Sequence, residues 1–249
     1  MRLWLSNLTI APAVIRMINP TASSIITTSV AARWNLMLLL AYRRVGQPSP
    51  RVVRLQSVTS TQDVARALPI GSIVVADHQT AGRGRLDHTW ESPSRTALLV
   101  SFVLAPNPIL SLTAGVAAAE ACGSGVRLKW PNDLLLDGGK VGGVLVEAMP
   151  IKAICGIGIN LTWAPTGGAT LNQDRDQLLE RLSVEIERWM SAPKEEVLAR
   201  WRELSATLGR RVRVELAGTA IEGTAEDIGP LGELIVDGRP VNFGSVTHL

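Results

Sequence analysis

Hydrophobic and polar residues alternate in short segments along most of the chain, and the period of the alternation separates strands from helices. Short apolar or alternating segments, bounded by turn-forming residues, are typical of β-strands. The sequence Asp137-Gly138-Gly139 between two such segments predicts a tight hairpin turn. The predicted strands of the central region are 51–56, 72–77, 97–104, 126–130, 134–136, 141–148 and 152–160.

Four segments have the period and the end signals of helices. Ser60 and Thr61 can cap a helix over 60–68, and Gly123 ends an alanine-rich helix over 110–122. A helix over 173–190 repeats apolar residues at helical spacing, and a helix over 193–208 has proline in its first turn. The apolar residues of the third helix are Leu178, Leu182, Ile186 and Met190, and we expect Trp189 and Trp201 in the helix core.

The last forty residues have a different pattern. Short alternating segments at 211–216, 220–228, 233–236 and 241–248 are separated by glycine and Asp-Gly turns. This pattern predicts a small β-barrel docked on the main domain. The fold class predicted for the whole chain is α+β: an N-terminal extension at 1–50, a mixed sheet with flanking helices at 51–208, and the barrel at 209–249.

Residues 1–50 differ from the rest of the chain in composition. They are rich in Ser, Thr, Leu and Arg, and they contain no acidic residue. An organelle transit peptide fits this composition, whereas a secretory signal peptide does not, because the apolar run at 36–42 comes late and is short. The interpretation that we favour is an over-long gene start or a poorly ordered extension, with the functional protein beginning near Gly46.

Charge and composition exclude several classes of protein. The chain has 249 residues, 25 Lys+Arg and 22 Asp+Glu, with 46% hydrophobic residues. Five of the basic residues and none of the acids lie in 1–50, so residues 51–249 hold 20 bases and 22 acids. The basic footprint of a nucleic-acid-binding protein is therefore missing from the predicted core. The segment 36–42 is too short to cross a membrane.

Common cofactor and metal signatures are also missing. The two cysteines are too few for a disulfide framework and favour buried thiols, and the three histidines lack metal-ligand spacing. Gly138-Gly139-Lys140-Val141 does not have the spacing of a P-loop. The Gly-x-Gly triplets lack the third glycine of a dinucleotide fingerprint. We predict that the protein has no metal site of its own. Any nucleotide site must differ from the P-loop and from the dinucleotide-binding fold.

Two segments carry the chemistry. Residues 79–90 form a glycine-hinged loop with two arginines, and residues 128–147 place two lysines near the ends of strand-like segments. Arginine offers planar bidentate donors to phosphate, and lysine offers a compact charge. The pattern favours a site that holds a carboxylate beside a nucleotide phosphate. The alternatives are that Arg85 is a solvated loop charge, that Lys129 serves an ion pair, and that Trp130-Pro131 is packing at a strand end.

The ordered set of motifs resembles that of the biotin protein ligases. The motifs that carry the resemblance are Ser60-Thr61-Gln62, Gly82-Arg83-Gly84-Arg85, Lys129-Trp130-Pro131-Asn132-Asp133, the segment from Lys140 to Glu147, and Gly156-Ile157-Gly158-Ile159-Asn160. The resemblance covers about residues 52 to 249. It implies a catalytic domain like that of class II synthetases and an SH3-like C-terminal barrel.

The resemblance also implies an activity and its residues. Members of this family join biotin to ATP and then transfer biotin from biotinyl-AMP to a lysine of a carrier protein. The implied catalytic residues are Arg83, Arg85, Lys129, Lys140 and Asp133, with Asp133 close to the incoming carrier lysine. The implied biotin-binding residues are Ser60, Thr61, Gln62, Gln79, Gly82, Arg83, Trp90, Lys140, Gly142, Gly156 and Gly158. The implied ATP-binding residues are Arg83, Gly84, Arg85, Asn132 and Asn160.

The implied partners are a biotin carboxyl carrier domain, biotin, ATP and Mg²⁺, in a cytoplasmic monomer or homodimer. Because 1–50 lacks a convincing helix-turn-helix, we expect a ligase without a repressor function. This chain departs from the family pattern at Leu86-Asp87-His88, where relatives commonly carry basic residues or glycine. Two alternatives stay open: a lipoate ligase, and a biotin-binding sensor with weakened catalysis. Glu147 receives no role.

Overall fold

The core of the protein is a seven-stranded mixed sheet. A computed structural model of the chain describes residues 52–86, 88–216 and 218–249; the predictions for 1–50 and the departure at Asp87 lie outside them. The sheet has the order β1-β2-β5-β9-β8-β7-β6, with β1 parallel to β2 and the other pairs antiparallel. The strands of the main domain are β1 (Val52–Val58), β2 (Ile73–Gln79), β3 (Gly82–Arg83), β4 (Thr89–Trp90), β5 (Ala97–Leu104), β6 (Arg127–Lys129), β7 (Asp133–Leu136), β8 (Gly139–Ala148) and β9 (Ala153–Asn160).

The first helix begins at the predicted cap, and the other three begin within two residues of the predicted starts. The helices are α1 (Thr61–Arg66), α2 (Leu110–Cys122), α3 (Arg175–Ser191) and α4 (Lys194–Leu204). The Ser60 hydroxyl accepts from the backbone N–H of Gln62, and the Asp174 carboxylate accepts from that of Gln177, which satisfies donors that a helix start leaves free. The predicted apolar stripe of α3 is buried except for Met190, and both Trp189 and Trp201 are in the core.

The two faces of the sheet pack against different helices. Along β9, Cys155 and Ile157 join the large core, whereas Ile154 joins a smaller cluster with Ala65 of α1. Successive side chains of a strand point to opposite faces, so α1 covers one face and α2 to α4 cover the other. Asp137 and Gly138, both with positive φ, make the predicted two-residue turn between β7 and β8.

The predicted end of α4 is wrong by four residues. The helix ends at Leu204 instead of residue 208, because the following backbone pairs with the sheet edge. Ser205 forms a parallel bridge with Leu128, and the N–H of Ala206 donates to the Leu128 carbonyl at 2.7 Å. A backbone group committed to the edge of the sheet cannot continue the helical ladder.

The C-terminal residues form a five-stranded antiparallel sheet with the SH3-like fold of the predicted barrel. Its strands are β10 (Arg211–Leu216), β11 (Thr219–Ile228), β12 (Leu234–Val236), β13 (Arg239–Val241) and β14 (Ser245–His248), in the order β13-β12-β11-β10-β14. The single strand predicted over 241–248 is wrong. Asp237-Gly238 makes a tight turn that pairs β13 with β12, and Gly244, with φ of 140°, separates β13 from β14.

Candidate active site

One cavity of about 230 Å³ lies on the α1 face of the sheet. It lies between the strands β8 and β9, the loop that holds β3 and β4, and the segment 129–133. Fourteen of the seventeen residues predicted for the site line it: Ser60, Thr61, Gln62, Gln79, Arg83, Gly84, Arg85, Trp90, Lys129, Asn132, Asp133, Lys140, Gly156 and Gly158. The other three, Gly82, Gly142 and Asn160, are outside the lining.

The floor of the cavity exists because two neighbouring strands have glycines there. A Cβ atom at Gly158 would stand 2.6 Å from Cε2 of Trp90, and one at Gly156 would stand 2.9 Å from Nε2 of Gln62. Gly143 on β8 also faces the Trp90 ring, with 3.6 Å for a Cβ. Without side chains at these positions, the indole and the amide lie directly on the sheet. The floor is therefore closely fitted, with the indole over Gly158 and the amide over Gly156.

A neutral hydrogen-bonded cluster forms one wall. Oε1 of Gln79 accepts from the backbone N–H of Thr61 at 2.7 Å and from its hydroxyl at 3.0 Å. The Thr61 hydroxyl is also 2.8 Å from that of Ser101, which is fully buried. Gln62 donates from Nε2 to the Leu145 carbonyl at 2.9 Å. Ser101 was missed from the sequence, where it looks like one polar residue inside an apolar strand.

Arg83 reaches the cavity from β3 and is held by two carboxylates. Its Nη1 donates to Asp63 at 2.8 Å, and its Nη2 donates to Glu147 at 3.0 Å. Burial alone would lower the pKa of Arg83, but the hydrogen bonds and charges of the two carboxylates raise it above its usual value. The sequence analysis gave Glu147 no role and did not single out Asp63, because their common partner Arg83 lies 64 and 20 residues away along the chain.

Arg85 connects the glycine loop to two other parts of the chain. Its Nη1 lies 3.3 Å from Oδ1 of Asn132 and 3.3 Å from the carbonyl of Gly244, between β13 and β14. Burial lowers the pKa of Arg85, and the charge of Asp133 opposes that shift. The Asn132 side chain is fixed in turn by donation to the Val144 carbonyl at 2.8 Å. Arg85 is therefore a partly buried cation whose hydrogen-bond acceptors are both neutral, so it can still bind an anion.

Lys140 lies at the start of β8 and faces Asp133 at the start of β7. Its Nζ is 2.6 Å from Oδ1 of Asp133. The Lys140 carbonyl accepts from the backbone N–H of Ala169 at 2.9 Å and from Nδ2 of Asn160 at 3.3 Å. Asn160 therefore holds the backbone of Lys140 from outside the cavity. Its Oδ1 is buried and has no partner among the described residues.

The C-terminal sheet completes the cavity. Ser245 and Val246 line it, and Trp130, which is 2% exposed, joins the two parts of the chain. The indole Nε1 of Trp130 donates to the Gly232 carbonyl at 2.9 Å, and its backbone N–H donates to the Thr207 hydroxyl at 3.0 Å. These contacts span 102 and 77 residues of sequence, so local patterns could not have predicted them.

The cavity is electrostatically one-sided. Four cations, Arg83, Arg85, Lys129 and Lys140, line it, and Asp133 is the one acid among the described lining residues.

Within the described ranges, no group of three metal-ligating side chains comes together. Burial raises the pKa of both cysteine thiols, Cys122 and Cys155, to about 12, which makes them poor nucleophiles. None of the described helices has the length and apolar character needed to cross a membrane.

A neutral polar wall beside a cluster of cations suits a ligase that activates a carboxylate with a nucleotide phosphate. Comparison with known proteins identifies the family within this class of ligases. Residues 50–162 match the Biotin/lipoate A/B protein ligase family, and residues 207–249 match the Biotin protein ligase C terminal domain. The biotin–[acetyl-CoA-carboxylase] ligase of Mycobacterium tuberculosis is 34% identical over 212 residues, covering 72% of this chain and 79% of that protein. The chain belongs to the biotin protein ligase family.

Solved structures agree with the fold. The biotin protein ligase from Aquifex aeolicus, in complex with biotin and ATP, matches with a TM-score of 0.69 and 28% identity, covering 80% of this chain and 98% of that one. The biotin protein ligase from Leishmania major, in complex with biotinyl-5-AMP, matches with a TM-score of 0.60 and 26% identity, covering 81% and 99%.

Proposed function

We propose that the protein activates biotin with ATP to form biotinyl-5'-AMP and transfers biotin to a lysine of a biotin carboxyl carrier domain. The single observation that carries this proposal is the cavity, in which a neutral hydrogen-bonding wall adjoins four cations. Family membership, and relatives whose structures contain biotin, ATP or biotinyl-5-AMP, support the same reaction.

The neutral end of the cavity suits the ureido ring of biotin. A ureido group has one strong acceptor and two donors, and it carries no charge. Because Oε1 of Gln79 is occupied by Thr61, the NH₂ group of Gln79 is the part that can donate to a ligand. The Ser60 and Gln62 side chains add further polar atoms, and the Trp90 ring offers an apolar surface. Burial of these groups favours a ligand that satisfies them.

The charged end suits the reacting carboxylate and phosphate. A carboxylate oxygen of biotin attacks the α-phosphorus of ATP, a mixed anhydride forms, and pyrophosphate leaves. Negative charge accumulates in this step, and preorganised donors can stabilise it. Lys140 would contact the carboxylate and the bridging oxygen, whereas Arg83 and Arg85 would contact phosphate oxygens. Lys129 adds a further positive charge to the cavity lining.

The adenine has a candidate partner in Asn160. Its Oδ1 is buried and has no partner among the described residues, and its Nδ2 is engaged with the carbonyls of Lys140 and Ala169. A buried acceptor without a donor costs free energy, on the order of 1–3 kcal/mol, until a donor arrives. The exocyclic amine of adenine would supply that donor. This requires the segment 164–169 to move, because Asn160 lies behind the present lining.

Mg²⁺ would accompany ATP. In nucleotide sites this ion is held by one or two carboxylates together with phosphate oxygens and water. Asp133 supplies one carboxylate at the charged end of the cavity, which fits an ion that arrives with its phosphates. The ion would offset phosphate charge, and the arginines and lysines of this chain would orient the phosphates.

Transfer needs a carrier lysine at the mouth of the cavity. Its neutral amine attacks the acyl carbon of biotinyl-5'-AMP, AMP leaves with the electrons of the broken C–O bond, and the nitrogen releases one proton to solvent. Asp133, next to Lys140, is placed at the start of β7, where it would accept a hydrogen bond from the entering amine.

We propose a cytoplasmic enzyme, acting as a monomer or a homodimer, with domains at 51–208 and 209–249.

The test is pyrophosphate release, measured with ATP and either biotin or lipoate, followed by label transfer to a carrier domain. The proposal predicts release with biotin, little with lipoate, and labelling of one carrier lysine. Release with lipoate instead would support a lipoate ligase. Tight biotin binding without release would support a sensor.

A further inference from the structure

Arg83 lines the cavity, but the residues that hold it do not. Asp63 on α1 and Glu147 on β8 both accept from its guanidinium, and neither is among the described residues of the cavity lining. The two carboxylates therefore contact Arg83 without occupying the space that a ligand would take. Each engages a different terminal nitrogen, which fixes the plane of the guanidinium.

Glu147 is shared between two arginines. Its Oε1 accepts from Nη2 of Arg83 at 3.0 Å, and its Oε2 accepts from Nε and Nη2 of Arg66 at 2.9 Å and 2.6 Å. Arg66 therefore holds one carboxylate oxygen, which leaves the other turned towards Arg83. The Glu147 side chain is 22% exposed, less than those of its partners Arg66 and Arg83.

The two carboxylates come from regular elements, whereas Arg83 comes from a two-residue strand. Glu147 belongs to the ten-residue strand β8, which lies inside the sheet between β7 and β9. Alternation along β8 puts Glu147 on the same face as Gly143, which belongs to the cavity floor. Side chains held by strands and helices are positioned more exactly than side chains in loops. The charged cluster therefore ties the short strand β3 to the helix α1 and to the long strand β8.

We propose that Glu147, together with Asp63, is a positioning residue for the proposed adenylation: it fixes the Arg83 guanidinium so that its remaining N–H groups meet the phosphate. This deepens the proposed function and rests on it. Arginine has five N–H donors, and the two ion pairs use two of them, which leaves three for an anion. The two arginines and two carboxylates have no net charge, so the cluster orients Arg83 without adding repulsion for ATP.

The first test is a double-mutant cycle on adenylation. Glu147→Ala in the full chain is expected to slow biotin-dependent pyrophosphate release about 10- to 100-fold, the cost of a misplaced reacting partner. In an Arg83→Ala background the same change is expected to cost less than about twofold, since the residue through which it acts is gone. Glu222→Ala is the control, because it breaks a comparable 2.9 Å pair with Arg213 in the C-terminal sheet.

Hydrogen exchange gives a second test that needs no catalysis. Glu147→Ala and Arg83→Ala are each expected to speed backbone exchange in residues 80–86, with no further increase in the double variant. If Glu147→Ala does not fold, Glu147→Gln, which keeps one acceptor oxygen and the side-chain size, enters the same cycles.

Three results would overturn the positioning role. They are additive effects of the two changes on pyrophosphate release, faster release in Glu147→Ala, and unchanged exchange in 80–86. A wild-type protein that releases no pyrophosphate with biotin contradicts the proposed function instead. In that case the exchange cycle still decides whether Glu147 holds Arg83.

Discussion

Gly158 lies directly under the indole of Trp90: a Cβ at residue 158 would be 2.6 Å from Cε2 of the ring, closer than real Cβ atoms come. The strand and the tryptophan thus occupy space that any side chain at 158 would need. The ring contributes to the floor of the cavity, so its position sets the shape of the proposed biotin end.

Gly158→Ala is therefore expected to push the Trp90 ring into the cavity. The expected result is a KM for biotin raised about 5- to 150-fold, from a clash that costs on the order of 1–3 kcal/mol. The KM for ATP should change much less. Steady-state pyrophosphate release with each substrate varied in turn measures both.

Gly115→Ala is the matched control for that prediction. Gly115 is in α2, and its added Cβ would meet only Leu128 at an ordinary 3.6 Å. Alanine favours a helix over glycine by about 1 kcal/mol, so this variant should keep activity and stability. An unchanged KM for biotin in Gly158→Ala would contradict the proposed arrangement of Trp90.

Lys140 and Arg83 are expected to act in the charge-forming step. Replacing either by alanine should slow adenylate formation about 10²–10³-fold, the scale for losing one preorganised donor to a developing charge. Single-turnover measurement of the adenylate isolates this step from transfer. Arg213→Ala, which removes an exposed arginine of the C-terminal sheet, should leave the rate unchanged. Wild-type rates in both cavity variants would refute their assignment.

Trp130 is expected to hold the C-terminal sheet on the catalytic domain. Trp130→Phe removes the indole donor that reaches the Gly232 carbonyl, and Thr207→Val removes the acceptor of the Trp130 backbone N–H. Thr207→Val leaves the buried backbone N–H of Trp130 unpaired and should lower the free energy of unfolding by about 1–3 kcal/mol. Trp130→Phe leaves the half-buried Gly232 carbonyl without its donor and should lower it by about 0.5–1.5 kcal/mol. Urea unfolding of both variants measures this. Losses below about 0.3 kcal/mol would show that the junction does not depend on these bonds.

His248 should give the folded protein a pH-dependent part of its stability. Burial lowers its pKa below the usual 6.5, and the charges of Lys129 and Arg210 lower it further. Because the unfolded chain then binds the proton more readily, this part is present above about pH 6.5 and is lost as the pH falls through the lowered pKa. The thermal midpoint of wild type should fall more than that of His248→Gln between about pH 7.5 and 5.5. Parallel curves would contradict the shift.

The sequence predicted the sheet and the helices because their signals are local, whereas the residues that line the cavity were implied by the ordered motifs of the family resemblance. Alternation along β8 and β9, and the stripe Leu178-Leu182-Ile186, depend only on near neighbours. The glycines at 156 and 158 were recognised by their motif. The structure adds the reason, which is the close approach of Gln62 and Trp90.

What the sequence could not predict depends on distant partners. Ser101 bonds to Thr61 across 40 residues, and Glu147 pairs with Arg83 across 64. The early end of α4 follows from the pairing of Ser205 with Leu128, which no helix propensity encodes. Likewise, Gly244 reaches Arg85 from between β13 and β14, so the cavity joins residues of both predicted domains.

The central claim is that this cavity makes an acyl-adenylate. The most direct measurement is mass spectrometry of the protein incubated with biotin and ATP in the absence of a carrier. The account predicts biotinyl-5'-AMP and pyrophosphate in a one-to-one ratio, with no product when biotin is omitted. Formation of ADP and phosphate, or no adenylate from folded wild-type protein, would contradict it.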